Sequence, residues 1–380
     1  MVSGWRIAGL AAILGLLGSG VAALALADAP GGPSLAKPPS LGGGLLRLTR
    51  PVQTARSGAG LRLLREAAAA CQSISYSGEQ VMLWWGQGKT SASVVDVWHQ
   101  PGRVALVQSA AALSGAPAGA AGAPAGAAIS AGPAGTQDPD SILCVSNELL
   151  VLLESNYQVV YAGRGSAAGR KALVVEAQRL GGGLAARFWL DATTKLPLRR
   201  EIFTSGAHLV SEDGFINLQL GASGLSAMPE PATAPWTARL DQARLLALRA
   251  KGWPVPGQLP GDLVLFSATE TSARSGRVIN LSYSDGLAVV SVFVQRGELG
   301  RPMRGWRQIG IGGQTVYSIN PDERSFAWSS DGFVYTVIAD APVATVSQVV
   351  TAMPSTTRPG FWGRMARGFH RLASWLNPVH

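Results

Sequence analysis

Charge is scarce in this 380-residue chain: Asp, Glu, Lys and Arg make up 14 % of it, against 47 % hydrophobic residues. Soluble domains usually carry about 25 % charged residues. A chain this apolar can bury enough surface to offset its ordering entropy, so bulk disorder is excluded. Cysteine is scarcer still. Cys71 and Cys144 are the only two, too few for a disulfide-stapled scaffold or a thiolate zinc cage. Of the four histidines (99, 208, 370 and 380) two belong to the terminal tail, and His99 and His208 read as structural or surface residues rather than ligands, so no metal site and no cofactor is predicted. Nucleophile elbows, H-E-x-x-H and P-loop patterns are missing as well. Gly163 to Gly169 approaches a dinucleotide glycine pattern but has one residue too many, and it reads as a turn. The adjacent carboxylates Glu212-Asp213 and Asp322-Glu323 read as solvated turns rather than acid/base pairs. No catalytic residues are predicted, and the chain does not read as an enzyme.

The net charge of +9 invites a nucleic-acid reading that the distribution of charge removes. One basic residue precedes the first apolar run, six lie in residues 28–65 and four follow residue 357, which leaves 21 basic against 22 acidic residues in 66–357. The middle is neutral and both ends are basic, so no nucleic-acid partner is expected. Ile7 to Leu26 is an uncharged run after Arg6, closed by Ala25-Leu26-Ala27. This is the layout of an export signal, and its length also suits a retained membrane anchor. Either reading places the rest outside the cytoplasm, on the periplasmic or cell-wall side. In that oxidising setting Cys71 and Cys144 read as a disulfide, with two buried thiols as the alternative.

Residues 28–57, rich in Pro, Gly, Leu and Arg, read as a flexible tether, and Leu61 to Cys71 as a helix packed on a sheet. Strand-like runs follow at 80–85, 91–98 and 103–108. Residues 109–140 are almost only Ala, Gly, Pro and Ser, with GAPAGAA occurring twice in succession, and read as a disordered insert. Further strands are expected at 143–145, 149–153, 158–162, 172–179, 186–191, 198–204 and 214–220, giving a curved antiparallel sheet over residues 58–221. A Pro-rich linker at 222–236 precedes a smaller α+β unit at 237–353. That unit has a helix at 238–250, strands between 263 and 338, and a closing helix at 343–353.

Two stretches carry a resemblance. One runs from Ala162 to Gly221 and contains Arg187-Phe-Trp-Leu-Asp191, the Thr194-Lys-Leu-Pro197 turn and a paired strand. The other is Ile279 to Val294, INLSYSDGLAVVSVFV. With Leu259-Pro260-Gly261 they resemble the MucB/RseB family of extracytoplasmic regulators of envelope-stress sigma factors. The resemblance implies an α+β fold whose N-terminal domain is a half-open antiparallel β-barrel, similar to LolA and LppX, with a helix packed in it. The smaller C-terminal domain follows. It also implies that the chain binds the extracytoplasmic domain of a membrane anti-sigma factor and controls its proteolysis in response to a lipid-like signal. The alternative is a lipid or lipoprotein carrier of the LolA/LppX type.

Alternation places Leu173, Val175, Phe188, Leu190, Leu198 and Ile202 on one apolar face, where they either line a hollow for an acyl chain or pack on the Leu61 to Cys71 helix. Tyr283, Asp285, Gly286 and Leu287 form either a partner-contact loop or a hairpin turn, since Asp-Gly between apolar strands is a hairpin signal. The basic tail, residues 354–380, has a helical pattern. Phe361, Met365, Phe369, Leu372 and Leu376 share an arc, Trp362 and Trp375 flank it, and Arg364, Arg367 and Arg371 sit beside it. Such a helix suits an anionic membrane surface or a docking face on protein.

Overall fold

A computed structural model describes residues 50–86, 89–101, 106–109, 129–130, 143–221, 238–273, 276–299, 306–318 and 325–354. The expected export signal, residues 28–49 of the tether, most of the insert, the linker and the tail from residue 355 lie outside the described residues.

The first nine strands make one antiparallel sheet. They are β1 (Tyr76–Gly86), β2 (Lys89–His99), β3 (Leu106–Ser109), β4 (Ile129–Ser130), β5 (Tyr157–Ala167), β6 (Arg170–Arg179), β7 (Leu184–Asp191), β8 (Pro197–Phe203) and β9 (Leu209–Leu220). Their order is β4-β3-β2-β1-β9-β8-β7-β6-β5, so the one long connection runs from β4 at one edge to β5 at the other, β1 and β9 pair in the middle, and β4 and β5 end the sheet unpaired with each other. The sheet is open, with helices on one face. Helix α1 (Arg50–Ser73) lies along β5 and β6 and touches α2 (Asn147–Asn156). Leu63, Leu64, Ala67 and Ala68 recur at helical spacing and bury one stripe of α1. Alanine brings the helix close to the strands, and Gly60 closer still: a Cβ there would stand 2.7 Å from the Val160 carbonyl carbon.

The second sheet runs β10 (Ala238–Arg239), β12 (Leu263–Ala273), β13 (Gly276–Ser284), β14 (Val289–Arg296), β18 (Phe333–Asp340), β17 (Ser325–Ser330), β16 (Gln314–Ser318) and β15 (Arg307–Ile311), with β11 (Gln258–Leu259) also on β12. Alternate residues point to one core: Ile279, Leu281 and Tyr283 of β13, Val290, Val292 and Val294 of β14, and Tyr335 and Val337 of β18. Leu245 and Leu248 of α3 (Gln242–Ala250) and Val346, Val349 and Val350 of α4 (Val343–Ala352) join that core. The Trp328 ring stacks on Tyr335 at 5.1 Å, and burial pushes the Tyr335 hydroxyl up to about 12.

The architecture is α+β with an open antiparallel first sheet. It departs from the sequence expectations in five places. Residues 149–153, expected as a strand, are the centre of α2: Ser146 caps the helix by accepting from the Leu149 amide at 3.0 Å, and Leu150 and Leu153 are buried at i, i+3. Residues 143–145 carry no strand. Helix α1 begins at Arg50, inside the expected tether, and Pro51 is tolerated there because first-turn amides need no helical acceptor. Two residues of the expected disordered insert, Ile129 and Ser130, pair with Val107 and Leu106 as β4. The helix expected from Ala238 starts at Gln242, because Asp241 caps it by accepting from the Arg244 amide at 2.8 Å while Ala238 and Arg239 pair with β12.

Candidate functional site

Strands β6, β7 and β8 bring the predicted apolar face together. Leu173 stands opposite Leu190, Val175 opposite Phe188, and Ala177 opposite Ala186, which in turn faces Ile202. Val175, Phe188 and Leu190 are buried in one cluster with Leu63, Leu64, Ala67 and Ala68 of α1 and Leu150 and Leu153 of α2, and Leu173 and Ile202 pack at its margin. Leu198 is fully buried at the β-bulge where the β7–β8 register shifts. Leu173, Val175, Phe188, Leu190 and Ile202 therefore pack with the helices, and anything entering this face must displace part of that roof.

Arg200 breaks the alternation between Leu198 and Ile202. It stands opposite Phe188 on one side and Asp213 on the other. Its Nη2 donates to Asp213 Oδ2 at 2.7 Å and to Asp340 Oδ2 at 2.8 Å, and its Nε donates to Asp213 Oδ2 at 3.1 Å. Burial by itself would lower the Arg200 pKa, but the two carboxylates outweigh it and hold the group well above the usual arginine value. Asp340 belongs to β18, so this triad ties the two sheets together. Glu212 and Asp213, expected in a solvated turn, lie instead within β9. Asp213 is buried on Arg200, and Glu212 on the opposite face meets Arg199 at 3.0 Å. Asp322 and Glu323 lie outside the described residues.

The outer face of the same strands carries an ion ladder. Arg187 donates to Glu176 Oε1 through Nε at 2.9 Å and Nη2 at 2.8 Å. Arg199 Nη2 meets Glu201 at 2.5 Å, and the Arg199 guanidinium lies 4.8 Å over the Trp189 ring. Burial raises the Glu201 pKa, although Arg199 and Arg187 oppose the rise. These partly exposed pairs set strand register more than stability, each contributing about 1 kcal/mol or less.

Asp285, Gly286 and Leu287 make a second contact between the sheets, and Tyr283 does not join them. Asp285 Oδ1 accepts from the Leu287 and Ala288 amides at 2.8 Å, which closes the β13–β14 hairpin. The hairpin then docks on the end of α2. Tyr157 donates its hydroxyl to Asp285 Oδ2 at 2.6 Å, and Asn156 Nδ2 donates to the Asp285 carbonyl at 2.9 Å. Burial, reinforced by Asp285, pushes the Tyr157 hydroxyl far up. Gly286 has φ +102°, and a Cβ there would lie 2.3 Å from the Leu153 amide nitrogen, so only glycine fits. Leu287 enters the cluster that holds Val175, Phe188 and Leu190. Tyr283 points the other way, into the second core, where its hydroxyl donates to the Pro256 carbonyl at 2.8 Å. In this conformation the hairpin is occupied by the chain's own first sheet.

Cys71 and Cys144 are joined, tying the end of α1 to the segment that leads into α2. His99 is buried: its Nδ1 lies 2.8 Å from the Ile74 carbonyl and its ring stacks on Tyr76 at 5.1 Å. His208 lies in the exposed β8–β9 turn. Among the described residues no group of His, Cys, Asp and Glu is placed to hold a metal ion, and no helix is long and apolar enough to cross a membrane. The tail residues Phe361, Trp362, Arg364, Met365, Arg367, Phe369, Arg371, Leu372, Trp375 and Leu376 lie outside the described residues. The chemistry assembled here is apolar packing edged by buried ion pairs, which suits holding a ligand or another chain.

Residues 133–240 match the family model of the MucB/RseB N-terminal domain. That range contains α2, β5 to β9 and the whole Ala162 to Gly221 stretch, and it bears out the resemblance read from that stretch. No curated protein matches the chain in sequence. Among solved structures, MucB is 18 % identical over 78 % of this chain and 98 % of its own, with a TM-score of 0.47. The MucA/MucB complex of Pseudomonas aeruginosa is 20 % identical over 78 % of this chain and 99 % of its own, with a TM-score of 0.41. LprF from Mycobacterium bovis is 12 % identical over 47 % of this chain and 97 % of its own, with a TM-score of 0.23.

Proposed function

We propose, from the MucB/RseB N-terminal domain carried by residues 133–240, that this chain is an exported regulatory binding protein. It binds the extracytoplasmic part of a membrane anti-sigma factor, shields that segment from regulated proteolysis, and releases it when a lipid-like signal reaches the first sheet. The family match is the observation that carries this reading. The apolar face beneath α1 and α2 supports it, because Val175, Phe188 and Leu190 form one buried cluster there with Leu173 and Ile202 at its margin. The chain acts outside the cytoplasm, held near the membrane by its basic ends, and works without enzymatic chemistry. The second sheet favours a regulator over a lipid or lipoprotein carrier: it has a core of its own and is joined to the first through Arg200 and the Asp285 hairpin, where a carrier needs only the first. Capture of the tagged full chain from its own membranes tests the reading. Recovery of a single-pass anti-sigma factor supports it, and recovery of lipid alone overturns it in favour of the carrier.

A further inference from the structure

We infer that Leu287 of the β13–β14 hairpin is a built-in competitor for the apolar face of the first sheet, so that an acyl chain entering that face must expel the hairpin and open this contact between the two sheets. This rests on the proposed lipid-like signal and names the route by which it is relayed.

Three observations converge. Among the described residues, Leu287 is the one residue of the second unit in the buried cluster that contains Val175, Phe188, Leu190, Leu150 and Leu153. The hairpin lies too close to α2 to stay if the helix shifts, because at Gly286 there is no space even for one methyl group beside Leu153. Polar contacts at this corner also run to Asp285 from Asn156, the last residue of α2, and from Tyr157, which follows it. An occupant of the first sheet's face has to move the α1–α2 roof, and α2 is the platform on which the hairpin stands. The ligand and the docked hairpin thus share apolar contacts and cannot both be satisfied. Linkage makes the effect reciprocal: weakening the hairpin's hold must tighten ligand binding, and ligand must weaken the hold. The joined Cys71 and Cys144 keep the start of α2 fastened to α1, which directs the movement toward its hairpin end.

The test uses the full chain, a dansyl-labelled long-chain fatty acid as probe, and two dyes for energy transfer. The dyes are placed through Leu180→Cys on the first unit and Leu246→Cys on the second, positions that are 74 % and 53 % exposed. Leu287→Ala is expected to bind the probe about tenfold more tightly than the parent, since weakening the closed state raises the competent fraction in proportion. Saturating probe is expected to lower transfer between the dyes in the parent chain. Gly286→Val, whose side chain cannot fit against Leu153, is expected to give the same low transfer without probe. Equal probe affinity in parent and Leu287→Ala, or unchanged transfer at saturation, overturns the competition while leaving a lipid-binding first sheet in place. Failure of every variant to bind the probe overturns the lipid-like signal itself.

Discussion

Replacing Arg200 by Met tests whether the charged triad is a buried tie between the sheets. In the native chain the Arg200 side chain is 12 % exposed, Asp213 1 % and Asp340 37 %. Methionine preserves most of the aliphatic stem but leaves the Asp213 carboxylate buried without its cation. Breaking a buried pair from one side costs about 3–5 kcal/mol, most of it the desolvation of the abandoned charge. Asp340→Asn removes the other partner, yet Asp340 is more than a third exposed and Arg200 keeps Asp213, so the loss is about 1 kcal/mol or less. The double variant Arg200→Met, Asp213→Leu abandons no charge and is expected to be more stable than Arg200→Met by about 2 kcal/mol or more. Urea unfolding followed by tryptophan fluorescence reads all three. Equal and small losses for Arg200→Met and Asp340→Asn would refute the reasoning, because they would mean that water reaches Asp213 and that the triad is a surface feature.

Three further outcomes follow from the same structure. Replacing Cys71 and Cys144 together by Ser, or reducing the parent with dithiothreitol, is expected to cost about 4 kcal/mol of unfolding free energy for a loop of 73 residues; an unchanged urea midpoint contradicts it. Burial lowers the His99 pKa below its usual 6.5, against the raising effect of the Ile74 carbonyl. The unfolded chain then binds more protons, so the stability this group confers is complete above pH 6.5 and is lost as pH falls through the folded-state pKa. His99→Gln should flatten the unfolding profile in that window, and an unaltered slope counts against the assignment. Ser146→Ala removes the cap of α2 and should cost about 1 kcal/mol by thermal unfolding; no change would mean that α2 is held by Leu150 and Leu153 alone.

The strands of both sheets were legible because alternation in runs such as Ile279-Asn-Leu-Ser-Tyr283 has one physical reading in an antiparallel sheet. Helix α2 was not. Leu149 to Leu153 is a run of five apolar residues without a period, and length and polarity alone favour a buried strand. The contrary signal was Ser146 followed by Asn147 and Glu148, a cap with an acidic first turn. The apolar face of β6 to β8 could be read from parity, and so could the anomaly of Arg200 within it. An arginine on the inward parity of a strand requires a buried carboxylate, but which one depends on β9 and β18 arriving from 13 and 140 residues away. Asp285-Gly286 announced a hairpin, whereas its docking on α2 is tertiary and leaves only one local trace, a glycine that cannot be replaced. The two-residue β4 is beyond any sequence signal, since its pairing is set by β3.

Residues 133–240 match the MucB/RseB N-terminal domain, and the function proposed from that match is binding of an anti-sigma factor outside the cytoplasm. Calorimetric titration of the purified full chain with the extracytoplasmic segment of the anti-sigma factor captured from its membranes tests it most directly. Saturable binding that weakens when the fatty-acid probe is present is expected. A folded chain that takes up the probe but gives no binding heat with that segment would contradict it.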